Sequence, residues 1–495
     1  MYISKTDYLE YTFCKKNLWL KKHKPELFLG VELSEFEKKI IEEGNAADAA
    51  ARNLFPEGVL IDFVGTVAVD ITRDTLVKKP AVVFQGAFLV DGFFVQADIL
   101  KFNSVLDGWE LFEVKATNSV KRKVPHHHVN DLAFQKMVLE KSGLKIVKAG
   151  VIHLNGDYRP VSSHVNYSEL FTIEDLTNEV VLAENDVREQ MDDLKVYLNE
   201  SEQKGCDCLY SGRSGQCTTF QYSNPEVPAY SVHDLSRIGS SKKIFHDWID
   251  RGIYAIEDID NEKKLKGSKL LQYQAYMLGK PLIFHDAIKA ELDALTFPLH
   301  FFDYEGYSSA IPRFANFGAY DQVPFQYSLH ILQKDGQLDH KEFLITNPTL
   351  DLTLPLVEQM RADFADQGSV IAWHKSYESQ RNDKLAEVHP AHADFLHDLN
   401  DRIFDLKEIF SKDHYVDARF KGSSSIKNVL PVLVPALSYK KLNVQKGDQA
   451  VERWEKMIDK NTPKEEKDQI AKDLLEYCKL DTMAMVEIYN VLKGL

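Results

Sequence analysis

Short apolar runs alternate with longer amphipathic stretches along this chain, the pattern of an α/β protein. The opening ISKTDYLEYTFCKKNLWLKK predicts a helix, with Ser4 as its cap and Asp7 favourably placed in the first turn. A second helix is predicted over 33–54, ending before Phe55-Pro56. Strand-like runs follow at 59–69 and 81–90. The stretch QADILKFNSVLDGWELFEVKAT then predicts a strand ending in Asp98 and Ile99, a turn near Asp107-Gly108, and a strand carrying Glu113-Val114-Lys115. LAFQKMVLE places Gln135 on a helix, 147–154 is a further apolar strand, and the polar stretch 173–202 predicts a long helix.

The character changes at Asn224-Pro225-Glu226-Val227-Pro228, after which short helices are predicted around a Gly252-Ile253 turn. From Pro298 strands return. PLHFFDYEGY presents Asp303 and Glu305 two residues apart, on one face. PFQYSLHIL and HKEFLI form a hairpin about Asp335-Gly336, a helix covers 354–365, and SVIAW is a short buried strand before WHKSYESQ. Thr462-Pro463 opens a last helix with Glu465 at the capping-box position. There Tyr477 and Asp481 lie one turn apart and share a face.

A chain of 495 residues exceeds one ordinary core, so two or three domains are expected. Hydrophobic content of 44% and charged content of 27% are ordinary for a globular protein. No apolar run approaches the ~18 residues of a membrane span and no signal pattern opens the chain, so a cytoplasmic protein without a membrane partner is expected. The net charge of −15 opposes broad attraction to nucleic acid but leaves room for local basic grooves. No GxxxxGK[ST] occurs, so a motor or helicase would be a separate protein. Of the five cysteines, Cys206, Cys208 and Cys217 crowd into GCDCLYSGRSGQC, which points to metal before disulfide; Cys478 is read as a small buried hydrophobe.

Asp98 and Glu113 could together hold a divalent cation, and Lys115 could orient a water or steady charge on a phosphate. Taken alone, such a trio reads as an exposed hairpin. Together with Gln135 it resembles the PD-(D/E)XK core of RecB-like nucleases, with Leu139 where that family's helix usually has Tyr. The resemblance implies Mg²⁺ or Mn²⁺ on Asp98 and Glu113, assistance from Lys115 and support from Gln135. The basic turn Lys121-Arg122-Lys123 could meet phosphates; His126, His127 and His128 are read as a solvated loop and not as ligands. Cys14 with Cys206, Cys208 and Cys217 resembles the iron–sulfur subgroup of these nucleases, which implies a 4Fe–4S cluster joining the two ends of the domain. Because Cys206-x-Cys208 is tighter than the subgroup's usual pair, Zn²⁺ on the same four thiolates stays open.

Asp303-x-Glu305, Glu378 after a later strand, and Tyr477 with Asp481 resemble the DnaQ-like exonucleases of the ribonuclease H-like fold, in their tyrosine subgroup. The resemblance implies two cations roughly 4 Å apart on Asp303, Glu305, Glu378 and Asp481, with Tyr477 orienting the attacking water. Glu378 stands where that pattern has Asp. Asp405 is read as structural, and Lys427 as a solvated helix start within reach of substrate. The fold expected is α/β multidomain: a RecB-like PD-(D/E)XK nuclease over 1–222, a helical connector over 223–293, and a DnaQ-like 3'-5' exonuclease over 294–495. In the connector, Gly239, Ser240 and Lys242 could touch DNA, though a structural role is the plainer reading. The order resembles a bacterial family that fuses these two nucleases, acting on nucleic acid, DNA first. Two other readings stay open: a binding or regulatory protein with one or both centres silent, and a cysteine cluster that senses oxidation or iron.

Overall fold

In the computed structural model, residues 2–29, 35–123, 126–161, 165–349 and 351–495 are described. Two separate mixed sheets organise the chain. The first, seven-stranded, runs in the order Val59–Leu60, Val82–Val90, Phe93–Asn103, Gly108–Lys115, Ile146–Leu154, Phe171–Asp175, with Ile3–Ser4 parallel to the start of the third. The second runs Leu338–Leu344, Val323–Leu332, Leu299–Tyr307, Val370–Ala372, Ile403–Asp405. Among the described residues no helix is long and apolar enough to cross a membrane.

Helix His128–Lys141 crosses over between the parallel strands Gly108–Lys115 and Ile146–Leu154, as a parallel pair requires. Its Leu132, Ala133, Phe134, Met137 and Val138 pack on one face of the first sheet, beside helices Lys5–His23 and Thr177–Asn199. Phe112, Val114, Ile152 and Leu154 point to the other face, where Ala47, Ala50 and Ala51 of helix Glu35–Ala51 cover them. The alternation therefore sends Glu113 and Lys115 towards the crossover helix. In the second sheet, strand Val323–Leu332 is buried along its whole length, and helix Lys464–Lys493 packs across it.

Several elements differ from expectation. Asp98 sits mid-strand in Phe93–Asn103 rather than at a strand end. The run 59–69 holds a strand of only two residues; Gly65, with φ of 66°, opens helix Thr66–Val77 instead. Ala68 and Thr72, four apart, face the sheet, and the Thr72 hydroxyl accepts the Ala87 N–H at 2.9 Å, while Val64, Val67 and Val77 stay exposed. A β-branched run had the composition of a strand without a buried side. Strand Phe171–Asp175 occupies the start of the stretch expected to be wholly helical; the helix is Thr177–Asn199. The second helix is Glu35–Ala51 followed by a 3₁₀ turn, and residues 33 and 34 of its expected start lie outside the described residues. The capping box at Thr462 is absent because its hydroxyl turns back to the Lys456 carbonyl at 2.7 Å. At the first helix the expectation holds: Ser4 and Asp7 form a reciprocal capping box.

Between the sheets in sequence, helices Lys242–Asp250 and Ser268–Leu278 and several 3₁₀ turns surround a small core of Phe245, Trp248 and Ile256, while Ile288 of helix His285–Asp293 packs with the second sheet.

Two candidate acidic centres and a four-cysteine cluster

The first centre forms where two strands part. Ile99 to Asn103 pair with Phe112 to Gly108, and beyond that ladder the Val114 N–H donates to Asp98 Oδ2 at 2.8 Å. Opposite Asp98, Gln85 takes a left-handed φ of 57° and donates Nε2 to Oδ1 at 3.2 Å. That conformation costs a non-glycine residue on the order of 1 kcal/mol. Ile3–Ser4 pairs with Phe93 and Phe94 near the opening and hands the chain straight to Lys5. Lys5 Nζ lies 2.6 Å from Glu113 Oε1, and Lys115 Nζ lies 2.9 Å from the same oxygen and 2.6 Å from Asp131 Oδ2. Gln135 Nε2 donates to Glu113 Oε2 at 2.6 Å and to Asp131 Oδ1 at 2.9 Å.

Burial opposes the charge on Glu113, which is 2% exposed, but Lys115 and Lys5 outweigh it and hold the carboxyl well below the usual range. Burial likewise pulls both ammonium groups down, and the surrounding acids outweigh it and push them up. Asp98 has a weaker counterweight: burial and the Glu113 charge push it up to about 7. Gln135 Oε1 is buried without a hydrogen-bond partner, an acceptor of the kind a hard cation satisfies. Even so, the carboxylates of this centre do not converge within 4.8 Å as one ligand group, because two ammonium groups stand among them. Lys5 and Asp131 were missed in the sequence. Asp131 carried a signal, since it lies four residues before Gln135 on the same helical face; Lys5 carried none, because only the tertiary insertion of Ile3–Ser4 brings it here.

The second centre draws on three elements. Asp303 and Glu305 lie on the central strand Leu299–Tyr307, Glu378 on helix Lys375–Val388, and Tyr477, Cys478 and Asp481 on helix Lys464–Lys493. Asp303, Glu305 and Cys478 bring ligand atoms within 4.8 Å of one another. Asp405 accepts the N–H groups of His374 and Lys375, both at 3.0 Å, and so anchors the start of the Glu378 helix. Burial and mutual repulsion push Asp303, Glu305 and Glu378 far above the usual carboxylate range: Asp303 feels Asp481, Glu305 feels Asp303 and Asp481, and Glu378 feels Asp303. Asp481 rises only to about 6, because hydrogen bonds from Tyr439, at 2.5 Å, and from Tyr477 offset its burial. Glu378 is 1% exposed and its Oε2 has no partner. Lys427, on an exposed helix start, lies close enough to favour the charge on Glu305 and Asp481. Cys478 is buried as expected, but its thiol faces Asp303 Oδ2 at 3.9 Å, a contact that no sequence signal marked.

Among the described residues, Cys14, Cys206, Cys208 and Cys217 form the other such group, their sulfurs all within 4.8 Å of one another. The first helix breaks at Cys14 (φ −152°, ψ 96°), which turns its thiol to the loop carrying the other three. Asn17 N–H and Asn224 Nδ2 approach the sulfurs of Cys14 and Cys206 at 3.4 Å each, and Asn17 in turn accepts the Thr219 hydroxyl at 2.7 Å. Hydrogen bonds from Cys14 and the other two thiols hold Cys206 far below the usual thiol range. Four cysteines this close could bind a metal.

A family model described as a domain of unknown function, DUF2779, matches residues 300–425, a span that includes Asp303, Glu305 and Glu378. The chain is also 28% identical over 218 residues to "Uncharacterized protein MG366" of Mycoplasma genitalium, and 28% identical over 211 residues to its Mycoplasma pneumoniae homolog. "Uncharacterized protein UU173" of Ureaplasma parvum is 29% identical over 216 residues. Each match covers 39% of this chain, and the chain spans only about a third of each relative's length: 32%, 32% and 31%.

The fold thus assembles Asp98, Glu113, Lys115 and Gln135 in one place, Asp303, Glu305, Glu378, Tyr477 and Asp481 in a second, and the four cysteines in a third. Of the basic turn, Arg122 is spent on Glu174 and Glu179 at 2.7 and 2.8 Å. Of the histidines, His126 is exposed as expected, but His127 Nδ1 accepts the Asn130 N–H at the helix start, and His128 is buried and pushed down to about 4 by burial and Lys115.

Proposed function

We propose that the chain is a metal-dependent nuclease that hydrolyses phosphodiester bonds of nucleic acid, DNA first, from two centres. The observation that carries this reading is the second centre: Asp303, Glu305, Glu378 and Asp481 are gathered from three elements, raised in pKa by burial and one another, and left with an unpartnered buried oxygen. Such repulsion is costly to fold unless a multivalent cation relieves it. Mg²⁺ or Mn²⁺ held by those four carboxylates would supply Lewis acidity and an activated water at the scissile phosphate. Tyr477, hydrogen-bonded to Asp481, would orient the nucleophile, and Lys427 would contact the phosphate backbone. At the first centre Asp98 and Glu113 would hold the cation, Lys115 would steady charge on the phosphate, and Gln135 and Asp131 would fix Glu113 and Lys115 in place.

A second reading is favoured at the first centre by Lys5: with two ammonium groups already among the acids, that centre would bind a strand without cutting it. Lys115→Met separates the two. If the first centre is catalytic, the variant loses its metal-dependent cleavage by at least ~10³-fold while melting as wild type does. Unchanged cleavage would leave the first centre a binding platform.

In the cysteine cluster, sulfurs within 4.8 Å of one another favour a single tetrahedral ion, zinc, whose bonds of ~2.3 Å put thiolates ~3.8 Å apart. A 4Fe–4S cluster, which the family resemblance favours, would need the thiolates to spread, since each binds its own iron.

Cation loading has a definite pH signature. Carboxylates whose folded pKa is raised hold protons in the cation-free protein, and a cation must displace them. Mn²⁺ should therefore raise the Tm more at pH 8 than at pH 6, with Asp98 near 7 and Asp481 near 6 setting the window. A shift equal at both pH values, or absent, would contradict cation binding at these centres.

A further inference from the structure

The two centres open on the same space. A cavity of about 800 Å³ lies between the sheets, and its walls include Lys115 and Asp131 of the first centre and Glu305 of the second. Its seam is closed by direct contacts: Tyr320 Oη donates to the Ala116 carbonyl at 2.7 Å, Asn316 N–H to the Pro160 carbonyl at 3.0 Å, and Lys39 pairs with Glu455 at 3.4 Å. The two acidic clusters are therefore held in one rim, not on opposite faces of the molecule.

The lining suits a flexible polyanion. Lys39, Lys115 and Lys121 bring positive charge to the walls, and Lys121 makes no ion pair among the described residues. Glu43 and Asp448 also line the cavity, and Glu43 is engaged by the Ala310 N–H. Tyr320 and Tyr377 add rings of the kind on which unpaired bases stack. A volume of this order holds a drug-sized molecule, or a few nucleotides. It is small for a duplex, whose major groove alone is about 12 Å wide.

Resting on the nuclease reading above, we infer that a single strand of nucleic acid lies in this cavity and reaches both centres at once, so that they work on one substrate molecule instead of two. The test counts strands. The Lys115→Met/Asp481→Asn double variant is titrated with a labelled oligothymidylate of about ten nucleotides. One strand per chain is expected, with the duplex form failing to compete. In parallel, Lys121→Glu is placed in the Lys115→Met background, which reports the second centre, and in the Asp481→Asn background, which reports the first. Both activities should fall by a similar factor, about 3- to 10-fold at low salt, and Lys121→Arg should restore both. Two strands per chain, or a Lys121→Glu effect confined to one centre, would overturn the shared path while leaving the nuclease reading intact. Absence of cleavage by wild type and every variant would overturn the nuclease reading, and this inference with it.

Discussion

Cys14→Ser is expected to lose the bound metal and to lower the Tm by on the order of 10 °C. Among the described residues, Cys14 is the one cysteine of the cluster from the N-terminal helix; the other three come from residues 206–217. That loop holds only short 3₁₀ turns, and its apolar support is small: Cys208, Cys217, Phe220 and Val227 beside Cys14. On the metal-binding reading, thiolate ligation would supply much of what fastens the loop to the first helix, since structural zinc contributes about 10 kcal/mol or more in small domains. Metal analysis beside calorimetry checks this. A Cys14→Ser protein with wild-type metal content and melting would contradict a structural metal.

A large catalytic effect is also expected of Asp481→Asn. The change keeps the shape of the side chain and an oxygen that can accept from Tyr439, but removes one of the charges that would hold the cations. On the proposed reading, cleavage by the second centre falls by at least ~10³-fold, about 4 kcal/mol of transition-state stabilisation. The same substitution relieves repulsion on Asp303 and Glu305, so the cation-free variant should melt slightly higher than wild type. Loss of activity accompanied by a higher Tm separates a functional role from a structural one; loss of both would point to simple unfolding.

Local features of this fold were readable from sequence because they rest on local physics. Ser4 and Asp7 cap a helix as their spacing required, Asp303 and Glu305 share a strand face, and Tyr477 and Asp481 share a helix face. The features missed depend on how distant pieces meet. Lys5 enters the first centre only because Ile3–Ser4 joins the sheet where the Asp98 and Glu113 strands part. Asp98 sits mid-strand because its carboxylate takes the place of a ladder carbonyl for Val114, which no propensity anticipates. The helix Thr66–Val77 was hidden by its β-branched residues, of which Val67 and Val77 face solvent. The cavity joining the centres belongs to no single segment.

The central claim is best tested by one cleavage assay. End-labelled single- and double-stranded DNA and RNA are incubated with Mn²⁺ or Mg²⁺ and protein purified without oxygen, comparing wild type, Lys115→Met, Asp481→Asn and the double variant. The account predicts cation-dependent cleavage by wild type, loss divided between the single variants, and none by the double variant. Wild-type protein that is folded and metal-loaded yet cuts none of these substrates, or a double variant that cuts as well as wild type, would contradict it.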